Sequence, residues 1–201
     1  MTTAGDNTEN QILEAAREVF IIKGFEGARM QEIADKAGIN KALLHYYFRS
    51  KENLFDAVFR EVASHLFPAM KQLLESDMAI KEKISFFVKI YLGALHENPY
   101  IPAFVINTLN TNPERFLKYI RQSGINPMLL QKQIDDEVSR GLIRIIKAEH
   151  LLVNTIAMCL FPFFARPIVQ NIFNMTNEEY ERYLESRQTE IIDFVLKSIS
   201  V

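Results

Sequence analysis

The sequence is short of several things, and each shortage excludes something. One cysteine among 201 residues rules out an intrachain disulfide framework and a multi-cysteine zinc site. Seven glycines and seven prolines leave little punctuation, which favours long elements, helices above all, over many short strands. The most apolar stretch, Leu151 to Ala165, carries Asn154, Thr155 and Pro162. It falls short of the roughly 18–20 apolar residues that span a bilayer. Met1 to Gln11 is polar and acidic, without the apolar centre of a signal peptide. A cytoplasmic location and no membrane partner are expected. The net charge is also small, -2 from 23 Lys+Arg and 25 Asp+Glu, without the basic excess common in nucleic-acid-binding chains.

What is present is the balance of a globular chain, with 48% hydrophobic and 24% charged residues. That length supports one or two domains and a sizeable core. Ile12, Ala16, Val19 and Phe20 recur at helical spacing, and Lys23-Gly24 supplies a stop, predicting a helix over about 8–23. Short helices are predicted over 30–37 and 41–47, the second capped by Asn40. Ser50 caps a longer one to about 74, striped by Leu54, Val58, Phe59, Val62 and Leu66. Further helices are expected over 79–97, 102–109, 113–122, 127–139 and 147–173, the last bent at Pro162 or Pro167. Thr176 with Glu179 forms a capping box that opens the final helix. No segment alternates like a strand. The expected fold is all-α, with about nine helices.

Residues 30–47 carry the chemistry. Met30 to Ala37 reads as a helix, Gly38-Ile39-Asn40 as a turn, and Lys41 to Tyr47 as a second helix, the spacing of a helix-turn-helix. Ile33 and Leu44 would face inward. Lys41, Ala42, Leu43, His45 and Tyr46 would face out, a mix of cation, rings and small apolar groups suited to a major groove. Residues 28–51 hold five Lys/Arg against two Asp/Glu, leaving eighteen against twenty-three elsewhere. The positive potential is concentrated where a phosphate backbone would lie.

From Ile33 through Tyr47-Phe48 and Ser50-Lys51-Glu52 to Leu54, with Phe20 to Phe25 before it, the chain closely resembles the signature of TetR-family transcriptional regulators. The resemblance covers about residues 10–56. It implies an N-terminal helix-turn-helix DNA-binding domain at 1–51, a connecting helix at 50–74, and a C-terminal helical ligand-binding and dimerisation domain at 52–201. It implies phosphate contacts by Tyr47 and Lys51, a capping and phosphate role for Asn40, and a further contact from Gln31. Three positions depart from the family's habit. Ala28 and Arg29 stand where Ser or Thr commonly caps the second helix, so Arg29 offers charge in place of that contact. Leu43 replaces a small polar residue, and Arg49 replaces a frequent proline.

The C-terminal half says less. Aromatic and thioether residues suggest a cavity lined by Phe87, Tyr91, Phe104, Tyr119, Met158 and Phe161, with Asn107 and Thr155 to orient a largely apolar effector. Leu152, Ile156, Leu160, Phe163, Phe164, Ile191, Phe194 and Val195 are candidates for a homodimer interface; homodimerisation itself is implied mainly by the resemblance.

Catalytic patterns are missing: there is no HExxH, GxSxG, P-loop or GxGxxG. His65, His96 and His150 are isolated. The run Asp135-Asp136-Glu137 does not set its carboxylates on one helix face. Cys159 lies in an apolar run and should be an inert buried thiol. The expected protein is a DNA-binding regulator, a repressor acting on double-stranded DNA as a homodimer under an unidentified small-molecule effector. No catalytic role, cofactor or metal is expected. The alternative is an all-α sensor or carrier with little DNA activity.

Overall fold

Eleven helices make up the regular structure of the described residues, and none of these residues forms a strand. The structure is a computed structural model that describes residues 4–111 and 113–201, with side chains described except at 4–6, 62, 104, 107, 108, 111 and 115. The helices are α1 (Ala4–Gly27), α2 (Met30–Lys36), α3 (Lys41–Tyr47), α4 (Lys51–Glu75), α5 (Ile80–Glu97) and α6 (Ile101–Thr111), followed by α7 (Pro113–Ser123), α8 (Met128–Ser139), α9 (Ala148–Phe164), α10 (Arg166–Phe173) and α11 (Asn177–Ile199).

The count exceeds the expected nine partly because the apolar segment 147–173 is two helices. α9 ends at Phe164, and beyond Ala165 α10 leaves it at 74°. Pro167 sits in the first turn of α10, where a residue without an N–H is tolerated. What was expected as a bend is therefore a break. No single helix among the described residues is long and apolar enough to cross a membrane.

Contacts group the chain into two compact units, Met1–His65 with Asn98–Thr111, and Leu66–Glu97 with Asn112–Val201. In the first, Ile12, Ala16, Val19 and Phe20 of α1 are buried with Ile33 and Ala34 of α2, Leu44 of α3, and Leu54, Phe55 and Val58 of α4. Phe20 meets the edge of Phe55 at 4.7 Å, and Tyr100, just before α6, closes on Phe55 at 5.8 Å. Residues 98–111 thus belong to this unit through a buried aromatic cluster. Such edge contacts add to the area that each ring buries.

In the second unit, α5 presents Ile80, Ile84, Val88, Leu92 and Leu95 along one stripe. These pack with Leu130 and Ile134 of α8, Leu151 and Cys159 of α9, and Ile191, Val195 and Ile199 of α11. Ile191 and Val195, read from the sequence as dimer candidates, are core residues of one subunit, 1% and 2% exposed. Their stripe faces α5 and α9, which leaves Phe194 outside. The capping box of α11 is present. Thr176 Oγ1 accepts from the Glu179 N–H at 3.2 Å, and Glu179 Oε2 accepts from the Thr176 N–H at 2.8 Å.

Candidate nucleic-acid interface and ligand cavity

The link between α2 and α3 is built from local signals. The Gly38 N–H donates to the Asp35 carbonyl at 3.2 Å and the Ile39 N–H to the Ala34 carbonyl at 3.0 Å. These two bonds form a Schellman ending, which needs a left-handed residue after the helix; Gly38 supplies it at φ 67. Asn40 then starts α3, its side chain accepting from the Leu43 N–H at 2.8 Å. Leu44 is the one fully buried residue of α3, so the helix is seated by a single inward anchor and its other faces stay open.

Those faces hold the residues singled out in the sequence. Arg29, Gln31, Asn40, Lys41, Ala42, Leu43, His45 and Tyr46 are all exposed, while Tyr47 and Lys51 are half-buried. Tyr46 is 79% exposed, and its ring meets Tyr47 edge-on at 5.6 Å. Gln31 is tied along α2 to Asp35 at 2.7 Å. His45 Nδ1 lies 3.3 Å from the Arg49 carbonyl. Arg29 caps α2 without a side-chain bond, so the first N–H groups of α2 lack the usual hydroxyl.

The cations are not equally free. Lys36 is paired with Glu18 of α1 at 2.6 Å, and Lys23 with Glu32 at 2.7 Å. Lys51 donates to the carbonyls of Glu26 and Ala28, both at 3.3 Å, and its ammonium lies 4.5 Å from the Phe25 ring centre. It binds the end of α1 to the start of α4. An ammonium has three donors, so one remains after these two bonds. Arg29, Lys41 and Arg49 are exposed and make no ion pair among the described residues. The basic strip is therefore centred on these three, with Lys36 largely neutralised from α1.

A second feature lies wholly in the second unit. An apolar cavity of about 200 Å³ is walled by Phe67, Met70, Leu73 and Leu74 of α4, Ile84 and Phe87 of α5, Ile120 of α7, and Leu152, Thr155 and Ile156 of α9. Two polar groups reach its wall, and both are already bonded. Thr155 Oγ1 donates to the Leu151 carbonyl at 2.7 Å, and Lys83 Nζ to the Leu74 carbonyl at 2.9 Å. Burial pushes the Lys83 pKa below its ordinary value, against the pull of Asp77 and Glu137. What the cavity offers a guest is hydrocarbon.

Of the cavity residues expected from the sequence, Phe87 and Thr155 line it. Tyr91, Tyr119 and Met158 are half-buried outside its wall, and Phe161 is 51% exposed. The side chains of Phe104 and Asn107 lie outside the described residues. Two expected dimer residues, Leu152 and Ile156, line the cavity instead. Leu160 and Phe163 pack partly buried against the core, whereas Phe164 and Phe194 are exposed. The α4 wall was missed because the stripe read from the sequence stops at Leu66; the only signal of Phe67, Met70, Leu73 and Leu74 is its continuation past Pro68. Cys159 is fully buried, and desolvation pushes its thiol up to about 12, as an inert thiol requires. No group of acidic, histidine or cysteine side chains among the described residues is arranged to hold a metal.

An open recognition helix, seated by one apolar residue and flanked by unpaired cations, defines a helix-turn-helix protein. Residues 12–58 match the family described as bacterial regulatory proteins, tetR family. It is 30% identical over 110 residues to the HTH-type transcriptional activator FasR of Mycolicibacterium smegmatis, covering 54% of this chain and 50% of that protein. It is 36% identical over 88 residues to the HTH-type transcriptional regulator RutR of Escherichia coli, covering 44% of this chain and 41% of that one. These matches span half or less of the relatives' length. The solved TetR family transcriptional regulator PfmR of Thermus thermophilus superposes with a TM-score of 0.65 at 22% identity, over 90% of this chain and 97% of that chain. The all-helical fold is thus shared along most of the chain.

Proposed function

We propose that this protein is a sequence-specific DNA-binding transcriptional regulator, a repressor that a small, largely apolar effector releases from a palindromic operator. One observation carries the reading: the exposed face of α3, with Lys41, Ala42, Leu43, His45 and Tyr46 open to solvent beside the unpaired Arg29 and Arg49. A protein surface that sets cations around exposed rings and small apolar groups matches phosphates around base edges. Asn40, Gln31, Tyr47 and Lys51 add backbone contacts at the margins. The division of labour follows: residues 1–51 read DNA, α4 connects, and 52–201 hold the effector and the dimer contacts. The work is done in the cytoplasm, where the DNA is.

A homodimer presents two copies of α3 about one helical turn, roughly 34–36 Å, apart. A two-fold protein selects a two-fold site. The exposed apolar residues Phe164 and Phe194 support association through the C-terminal helices. The effector enters the apolar cavity. α4 contributes wall residues there and, through Leu54, Phe55 and Val58, core residues of the DNA-reading unit. An effector acts by binding one arrangement of α4 more tightly than the other, because equal affinity would shift nothing.

Sequencing of genomic fragments retained by the purified protein tests the reading. A single palindromic motif is expected, and its release by apolar compounds marks the effector class. Recovery of DNA without any enriched sequence would overturn it.

A further inference from the structure

The geometry points to a specific hydrogen-bonding sense for His45: we infer that its Nε2 is an acceptor that reads the amino group of an adenine or a cytosine. The inference rests on the DNA-reading function proposed above. His45 lies exposed on α3, one turn after Lys41. The helix ends at Tyr47, and Phe48 takes an extended conformation (φ -130, ψ 98). Phe48 is buried at 7% exposure and its N–H donates to the Leu44 carbonyl at 2.8 Å. This anchored turn returns the chain so that the Arg49 carbonyl oxygen stands 3.3 Å from His45 Nδ1.

A carbonyl oxygen has only lone pairs to offer. Nδ1 must therefore hold the hydrogen, and a neutral imidazole holds only one. Nε2 keeps its lone pair, the tautomer being set by the bond that the other nitrogen makes. In the major groove adenine N6 and cytosine N4 donate, whereas guanine N7 and O6 and thymine O4 accept. An acceptor on the recognition helix attracts the first pair of bases and meets lone pairs on the second. Because the carbonyl belongs to the backbone, and Phe48 holds that backbone, no side-chain rearrangement is needed to keep the choice.

Two measurements on the full-length protein test this. Long-range proton–nitrogen NMR of histidine-labelled protein at about pH 8, above the ordinary imidazole range, should show a protonated Nδ1 and an unprotonated Nε2 at His45, assigned by loss of the signals in His45→Asn. The opposite tautomer overturns the inference without touching the DNA-binding function. Enrichment from random duplexes should then give a position where the wild type prefers adenine or cytosine and His45→Ala does not. Replacing that base by its analogue without the amino group should cost the wild type about two- to tenfold in affinity, the range of one neutral hydrogen bond, and cost His45→Ala nothing. A guanine or thymine preference at that position, or an equal loss by both proteins, overturns the inference alone. Failure to enrich any sequence overturns the DNA-reading function, and the inference with it.

Discussion

Arg187 of α11 donates to the Met158 carbonyl of α9 at 3.4 Å. Met158 stands four residues before Pro162 in the same helix, and a proline inside a helix has no N–H to give to that carbonyl. Arg187 supplies the missing donor from a neighbouring helix. Tyr180 adds a second tie at the same place, its hydroxyl donating to the Pro162 carbonyl at 2.6 Å. The irregularity in α9 is thus satisfied by α11.

Removing the guanidinium while keeping the stem, Arg187→Met, should lower stability in urea by about 1.5–3 kcal/mol, the range for a hydrogen bond with a charged partner. The control is Pro162→Ala, in which α9 supplies its own N–H. In that background Arg187→Met should cost clearly less. Equal costs in both backgrounds would mean that Arg187 acts through packing on Tyr183, whose ring centre lies 5.9 Å from the guanidinium carbon.

Lys51 is expected to do two things at once. Its bonds to the Glu26 and Ala28 carbonyls hold the end of α1, and its third N–H is available for a phosphate. Lys51→Ala should therefore weaken binding to every DNA sequence. It should also flatten the log–log dependence of affinity on salt by about 0.9, the value for one phosphate contact. Tyr47→Phe should weaken all sequences while leaving the slope alone, because it removes no charge. An unchanged slope for Lys51→Ala would leave that residue the carbonyl-binding role only.

The cavity predicts its guests. A dry apolar space of comparable size takes up small aromatic hydrocarbons. With Thr155 and Lys83 already bonded to carbonyls, uncharged hydrocarbon-like compounds should raise the melting temperature, and carboxylates of the same size should not. Ile156→Phe fills the space and should abolish the shift while leaving DNA affinity intact. A shift that survives this substitution would place the guest elsewhere.

Helix ends were legible in the sequence because their signals are local. Asn40, Gly38 and the pair Thr176–Glu179 each act within four residues of themselves, and each does in the fold what its type suggests. The exposed face of α3 was legible for the same reason: one inward residue, Leu44, fixes the rest. Partners from distant segments were not legible. Glu18 neutralises Lys36, and the carbonyls of Glu26 and Ala28 engage Lys51, from positions that local charge counting ignores. On α11 the sequence could not separate Ile191 from Phe194, since a helix that is apolar on more than one side does not say which side meets its own core. The cavity wall on α4 was hidden similarly, as Leu73 and Met70 look the same beside a void as beside another side chain.

Alkaline pH should expose the burial of Cys159. Desolvation raises its pKa from the ordinary 9.0 to about 12. The folded state therefore keeps the proton more tightly than the unfolded chain. The stabilisation is complete below about pH 9 and is lost as pH rises toward 12. Near pH 11 the wild type should have lost on the order of 2 kcal/mol relative to its neutral-pH stability beyond any loss in Cys159→Ala. Parallel pH curves for the two proteins would show that the thiol is better solvated than its surroundings suggest.

The dimer reading separates two residues three positions apart. Phe194 is 65% exposed and Phe164 is 48% exposed, while Ile191 is buried with α5 and α9. Val153, Ile168, Ile172 and Phe173 are also exposed on α9 and α10, and exposed apolar surface of this kind is where protein partners dock when it is contiguous. Phe194→Asp places a charge on that surface and should convert the dimer to a monomer in sedimentation, with helix content unchanged. Ile191→Ala removes core atoms and should cost about 2–5 kcal/mol of folding stability, while the folded fraction still sediments as a dimer. If the operator is two-fold, as proposed, the Phe194→Asp monomer should also lose most of its affinity for the full palindrome and keep its weak affinity for a half-site. A Phe194→Asp protein that sediments as a dimer would move the interface away from this face of α11.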